Sequence, residues 1–365
     1  MKFGVAEQLL HSRLGPMMVA ETGYRTARVT GADSYWLLDH LNTLLPRAVM
    51  TREYTGSARL IPDFDSFLEP WTALGYLAGR HRFARIRFGT GVTDAGRRNP
   101  AVTAQAAATL QLMTRGRAIL GIGTGEREGN EPYGVDWSKP VARFEEALAT
   151  VRALWNSNGQ LVDRDSEWFP LHNASFTLLP YKGTWPEIWI ASHGPRMLRA
   201  TGRYADAWFP VAFTPARYAE GLQQVHSAAD NAHRDPHSIT AASWHFVVTG
   251  RSSGEVEDAL ESVPIRAFAL NLPAWAWAEH GARRPMGDDS TGFQDLVPQT
   301  LDEQTALAHA AAAPISALKQ YVLTGTPDEV IDQLGVWRDH GVRYPTGAPN
   351  TAMMPSPVNL STVPP

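Results

Sequence analysis

Seven short apolar runs, each separated by a longer amphipathic stretch, limit what this chain can become. KFGVA (2–6), SYWLL (34–38), RIRFGTGV (85–92), AILGIG (118–123), EIWIA (187–191), DAWFPV (206–211) and SWHFVV (243–248) have strand length and composition. The stretches between them carry helical periodicity. In NPAVTAQAAATLQLM (99–113), Asn99 can cap and Pro100 takes the first turn, where a missing N–H costs nothing. In VARFEEALATVRALW, Val141, Phe144, Leu148, Val151 and Trp155 recur at spacings of three and four and line one face. Strands alternating with helices predict a parallel sheet covered by helices. A doubly wound sheet meets the pattern; the reading adopted is an α/β fold of the (β/α)₈ TIM-barrel type.

Two stretches break the rhythm. Residues 46–70 and 262–325 are read as insertions into one barrel domain spanning 1–344, rather than as a second domain. The end is stranger. Thr326, Pro327 and Glu329 predict a capped helix start, and Gly341 a helix stop. An eighth strand and a closing helix should follow. Residues 345–365 instead hold six prolines and no periodicity, and read as an irregular tail. Since proline cannot donate to a ladder, the expectation is that the closing strand and helix are lost or altered.

Composition narrows the function classes. The chain has 365 residues, 44% of them hydrophobic, enough for a large core. A formal net charge of −4 offers no broad basic face, so no nucleic-acid partner is expected. The absence of cysteine excludes disulfides, thiol nucleophiles and thiolate metal sites. The first residues, MKFGVAEQLLHSRLG, become charged too soon for a signal peptide, and no apolar run is long enough for a transmembrane segment. A cytoplasmic protein is expected.

In a barrel the chemistry sits at the strand C-termini. Three features fall there. Asp39–His40 ends SYWLLDH; a histidine can move protons near neutral pH and the adjacent carboxylate could tune it, or the pair could be an ordinary strand-to-loop turn. GIGTGEREGNEPYG (121–134) offers Gly121, Gly123 and Gly125 for close backbone approach to a flat ligand, followed by Glu126; packing is the alternative use of those glycines. It is not a GxGxxG fingerprint. IASHGPRMLRATG (190–202) leads into a helix start suited to phosphate or carboxylate, with Arg196 and Arg199 nearby. Arg97–Arg98 reads as a solvated loop pair. His193 could contact a ligand or be a turn residue. No HExxH or other paired-ligand spacing appears, and no metal site is expected.

The order of these features resembles the luciferase-like superfamily of flavin and deazaflavin barrels, in its branch using coenzyme F420. The shared pattern is DH after the second strand, GTGV ending the third, RRNPAVTAQAAATL after it, GIGTGE ending the fourth and IASHGP ending the fifth. The resemblance extends to about residue 344. It implies a cofactor, reduced F420, with FMN as the alternative. It places Asp39 and His40 beside the ring, a non-proline cis peptide at Gly91–Val92 behind it, and Thr124, Gly125 and Glu126 at its edge. Ala191, Ser192, His193 and Gly194 match the loop around the coenzyme's phosphate-bearing tail. The implied activity is reduction of a ketone on a long-chain diol lipid of the cell envelope, with His40 or Glu126 supplying the proton. Possible peripheral contact with a membrane and a homodimer accompany it.

One departure bears on substrate. Sugar-phosphate dehydrogenases of this branch carry Trp four residues after the His, where this chain has Leu44. That supports an apolar substrate, with Phe268, Trp275 and Trp277 lining its path. The competing expectations are an inactive remnant lacking its closing strand, and an FMN-dependent monooxygenase.

Overall fold

In the computed structural model, which describes residues 1–211 and 213–349, eight parallel strands close into a barrel. They are β1 (Gly4–Glu7), β2 (Ser34–Leu37), β3 (Arg87–Thr90), β4 (Ala118–Gly123), β5 (Glu187–Ile190), β6 (Ala207–Trp208), β7 (Thr240–Thr249) and β8 (Tyr344–Pro349). Neighbours in sequence are neighbours in space. The ring is sealed where β8 pairs with β7 (Ala242↔Tyr344) and with β1 (Gly4↔Thr346). Among the described residues no helix is long and apolar enough to cross a membrane.

Side-chain alternation divides the strands' residues between two cores. Inside the ring, Trp36, Trp189 and Phe209 meet at centroid distances of 4.8–5.2 Å, with Tyr344 edge-on to Trp189 at 4.9 Å. Outside it, Tyr24, Tyr35, Leu74, Leu77 and Phe88 fill the layer under the helices Met18–Val29 and Pro70–Arg80. Burying each large apolar side chain contributes about 1.5–3 kcal/mol. The helix signals hold. Asn99 accepts from the Ala101 N–H at 2.9 Å, and Phe144, Leu148, Val151 and Trp155 are all buried.

The expectation of a lost closing strand is overturned. YPTGAP is β8. Tyr344, Thr346 and Ala348 are buried, and the Tyr344 hydroxyl donates within 2.8 Å of Ser34 Oγ and Asp33 Oδ2. Two prolines are tolerated because strand N–H groups alternate in direction. The Arg343 N–H donates to the Ala241 carbonyl at the start of β7 (2.8 Å). Pro345 and Pro349 share that parity, so both missing donors fall on the β7 side, and Tyr344, Thr346 and Ala348 keep theirs for β1. Proline removes one donor at a time; it does not remove the strand. The rest of the expected tail, and any closing helix, lie outside the described residues.

The two insertions pack on each other above the barrel mouth. Val49, Met50, Ala58, Ile61 and Phe64 from the first share one apolar cluster with Phe268, Leu270, Leu272 and Leu296 from the second. The second is largely helical (Val263–Phe268, Ala274–Glu279, Glu303–Ala312 and Ile315–Tyr321) and ends in a short strand, Leu323–Gly325, that pairs in parallel with the end of β7. Together they roof one side of the strand C-termini.

Candidate active site

Asp39 lies just past β2 with only 2% of its side chain exposed. Arg97 reaches its Oδ1 at 2.7 Å and its backbone carbonyl at 2.7 Å, Arg98 reaches both carboxylate oxygens at 3.2 Å, and the Thr93 hydroxyl donates to Oδ2 at 2.5 Å. Burial pushes the Asp39 carboxyl up, but the two guanidiniums outweigh it and hold it below the usual range. The arginine pair is therefore not a solvated loop feature. It is the clamp that fixes this turn.

Asp39 is thus fully engaged and does not tune His40 in the way the adjacent positions suggested. That part falls to two glutamates from the turn after β4. His40 Nδ1 sits 3.0 Å from Glu128 Oε1 and 3.5 Å from Glu126 Oε2. Burial pulls the imidazole's pKa down, yet the charges of Glu126 and Glu128 outweigh it and raise it to about 9. Burial pushes Glu126 up to about 7, against the opposing pull of His40. His40 Nε2 has no hydrogen-bond partner among the described residues, and the residue lines the cavity described below. Glu128 is 1% exposed, and its second oxygen, Oε2, is buried without a partner.

The resemblance-derived backbone feature is present: the Gly91–Val92 peptide is cis. A Cβ at Gly91 would lie 2.7 Å from the Trp244 ring. Gly125, at φ +79°, could carry no side chain because the Asp94 carboxylate occupies that space. Here packing, rather than ligand approach, demands glycine. Asp94 in turn accepts from the Gly96 and Arg97 N–H groups (2.6 and 3.0 Å) and from the Asn130 amide.

The β5 end is committed through its side chains. Ser192 Oγ and Thr201 Oγ1 share a hydrogen bond of 2.7 Å. His193 Nε2 lies 2.7 Å from the Val211 carbonyl, and its ring stacks on Phe213. Arg196 is paired with Glu145 at 3.0 Å, while Arg199 is exposed. What this loop offers a ligand is backbone, with open space around Gly194.

Asp39, His40, Gly91, Val92, Thr124, Gly125, Glu126, Ala191, Ser192, His193 and Gly194 all line one cavity of about 310 Å³. That is within the usual range for small-molecule sites, about 300–1,000 Å³. Sequence reasoning missed its apolar side: Phe209, Trp244, Phe246 and Phe293. The aromatics expected there lie elsewhere. Trp277 is fully buried and donates to the Ala269 carbonyl, Trp275 sits under the Arg217 guanidinium, and Phe268 packs behind Phe246 and Phe293. Gln294, also from the insertion, reaches Thr124 Oγ1 at 3.4 Å, and its carbonyl accepts from the Arg127 N–H.

A planar ring fits this cavity. Gly91, Gly123 and Gly194 present backbone, Val92, Phe209 and Trp244 present apolar surface, and an unpartnered imidazole nitrogen offers a proton. Donor atoms of His40, Glu126 and Glu128 lie within 4.8 Å of one another, a grouping no sequence spacing revealed. The two carboxylates favour the charged form of the imidazole.

The family described as luciferase-like monooxygenase matches residues 24–344. A Mycobacterium tuberculosis protein named phthiodiolone/phenolphthiodiolone dimycocerosates ketoreductase is 60% identical over 94% of this chain and 91% of its own length. Two solved structures share the fold. An F420-dependent secondary alcohol dehydrogenase in complex with an F420–acetone adduct superposes with TM-score 0.73 at 20% identity, covering 97% of this chain and 96% of that one. The oxygenating constituent of a 3,6-diketocamphane monooxygenase from Pseudomonas putida, in complex with FMN, gives 0.62 at 16%, covering 95% and 91%. The chain belongs to the luciferase-like monooxygenase family and is an oxidoreductase.

Proposed function

We propose that this protein is an F420-dependent ketoreductase that reduces the keto group of a phthiodiolone or phenolphthiodiolone dimycocerosate-type lipid to the alcohol. The observation that carries the reading is the state of His40. Two carboxylates hold a proton on its imidazole beyond neutral pH, and its second nitrogen is free beside a cavity suited to a planar ring.

Bound reduced F420 supplies the hydride. The chain's own residues do the rest. Gly91–Val92, Thr124–Gly125 and Ala191–Gly194 hold the ring and its tail. The free backbone N–H groups of Arg196 and Met197, in the first turn of the helix Pro195–Tyr204, suit an anionic portion of that tail. His40 Nε2 gives the carbonyl oxygen its proton, with Glu126 and Glu128 fixing Nδ1 so that only one nitrogen faces the substrate. Asp39, clamped by Arg97 and Arg98, positions the turn that carries His40. Phe246 and Phe293 keep the apolar wall dry, which favours a lipid ketone over a sugar phosphate.

The test is coenzyme titration followed by turnover. Purified protein should bind F420 more tightly than FMN and should oxidise reduced F420 when a phthiodiolone-type ketone is added. Tighter binding of FMN, with oxygen-dependent turnover, would instead support a flavin monooxygenase.

A further inference from the structure

The helix Pro195–Tyr204 follows directly on the loop that closes one end of the main cavity. Pro195, in its first turn, lines that cavity and also a second space, an open groove of about 730 Å³ between this helix and the helix Pro215–Asn231. The two spaces adjoin there, beside the backbone N–H groups that suit an anionic part of the coenzyme.

One wall of the groove is a basic stripe. Pro195, Arg199 and Arg203 stand four residues apart in turn, so they share one helix face. At a rise of about 1.5 Å per residue the stripe is about 12 Å long. Both arginines are exposed, and neither has an ion-pair partner among the described residues. Their neighbours differ: Arg196 is paired with Glu145 and Arg152 with Asp206. Arg203, in the last turn, is favoured by the helix dipole and lies over the Tyr204 ring at 5.8 Å; Arg199, in mid-helix, has no such use. Like charges four residues apart on a helix repel, and an anion lying along the stripe removes that cost. The facing wall offers uncharged hydrogen-bonding groups, Gln224, Ser227 and Asn231, and one carboxylate, Glu220.

We infer that this groove binds the oligoglutamate chain of coenzyme F420. The inference rests on the F420 reading. Beyond its phosphate this coenzyme ends in a chain of glutamates, each adding a carboxylate. An extended peptide unit spans about 3.3–3.6 Å and a γ-linked one more, so four glutamates suffice to run from Pro195 to Arg203. The guanidiniums take carboxylates through paired N–H bonds, and the amides and hydroxyl opposite take the peptide groups. Exposed pairs of this kind are individually weak, so the groove grades coenzymes by tail length rather than deciding whether the ring binds.

The test is equilibrium titration of the whole protein, followed by the coenzyme's own fluorescence, with F420 carrying one glutamate and F420 carrying six. At low salt the native protein should bind the longer form about three- to tenfold more tightly. The advantage should vanish near about 1 M salt, where the Debye length is about 3 Å. The double variant Arg199→Gln, Arg203→Gln changes only exposed side chains; it should bind both forms alike, with the affinity for the short form nearly native. Glu220→Gln, which removes the opposing carboxylate, should widen the difference. Equal native affinity for the two forms would overturn the groove and leave the F420 reading in place. So would a difference that survives in the double variant. Failure of the native protein to bind either form would overturn both.

Discussion

The mouth of the barrel has two unlike halves. The arc formed by the ends of β2, β3 and β4 is polar: Asp39, His40, Asp94, Arg97, Glu126 and Glu128 are held by charge-assisted hydrogen bonds and ion pairs of 2.6–3.5 Å. The arc formed by β7 and the second insertion is apolar: Trp244, Phe246, Phe268 and Phe293 touch at centroid distances of 4.6–6.4 Å. Polar contacts inside a protein depend steeply on geometry, and breaking one strands a buried partner. Apolar contacts depend on filled volume and tolerate exchange of one hydrocarbon shape for another. One half sets the reaction; the other sets what may reach it.

This contrast can be broken at several points. The largest effect should follow Asp39→Ala, which leaves Arg97 and Arg98 facing each other without their shared carboxylate. Loss of a buried pair costs about 3–5 kcal/mol, readable as a lowered urea midpoint. Because the Asp39 carboxyl is held below its ordinary value, the stability it contributes is present above about pH 3.9 and lost as pH falls through its folded value. Next comes His40→Ala, which should cut turnover by about 10²–10⁴ while leaving F420 affinity nearly intact. Unchanged turnover would move the proton donor to Glu126.

Glu128→Gln should do less to turnover at neutral pH and more to its pH profile. With its pKa raised, His40 contributes stability and protons fully below about pH 6.5 and loses both as pH rises through about 9. Removing one of its two carboxylates should move the upper limit of activity downward. An unmoved profile would assign the effect to Glu126 alone. The smallest effect belongs to the apolar arc: Phe293→Met, which roughly conserves volume, should cost less than about 1.5 kcal/mol in a melt and leave the pH profile untouched. Damage there equal to that of Asp39→Ala would erase the distinction between the halves.

How legible each half was follows from the same physics. The polar arc is encoded in short contiguous motifs, DH and GTGE, at strand ends, so Asp39, His40, Thr124 and Glu126 stand out in the sequence. Glu128 and the true environment of Arg97 did not, because their significance comes from three loops converging, and no spacing along one of them shows it. The apolar arc was anticipated only in kind. An aromatic's position in an insertion does not reveal which way it faces, so Trp275 and Trp277 drew attention while Phe293 and Gln294 face the cavity. β8 was hidden for a different reason. Its prolines break a rule that holds for central strands in general, yet both fall on one side of the ribbon, and the alternation of Tyr344, Thr346 and Ala348 toward the interior survives beneath them.

That seam between β1 and β8 has a consequence for how the molecule is made. Gly4 can find Thr346 only after all the strands between them have been synthesised, so a growing chain must keep an open, curled sheet in solution while it waits for the closing stave. The vulnerable moment for this protein is therefore the interval before β8 emerges, and a chaperone that shelters the two bare flanks until then should raise its yield more than any change to the helices outside.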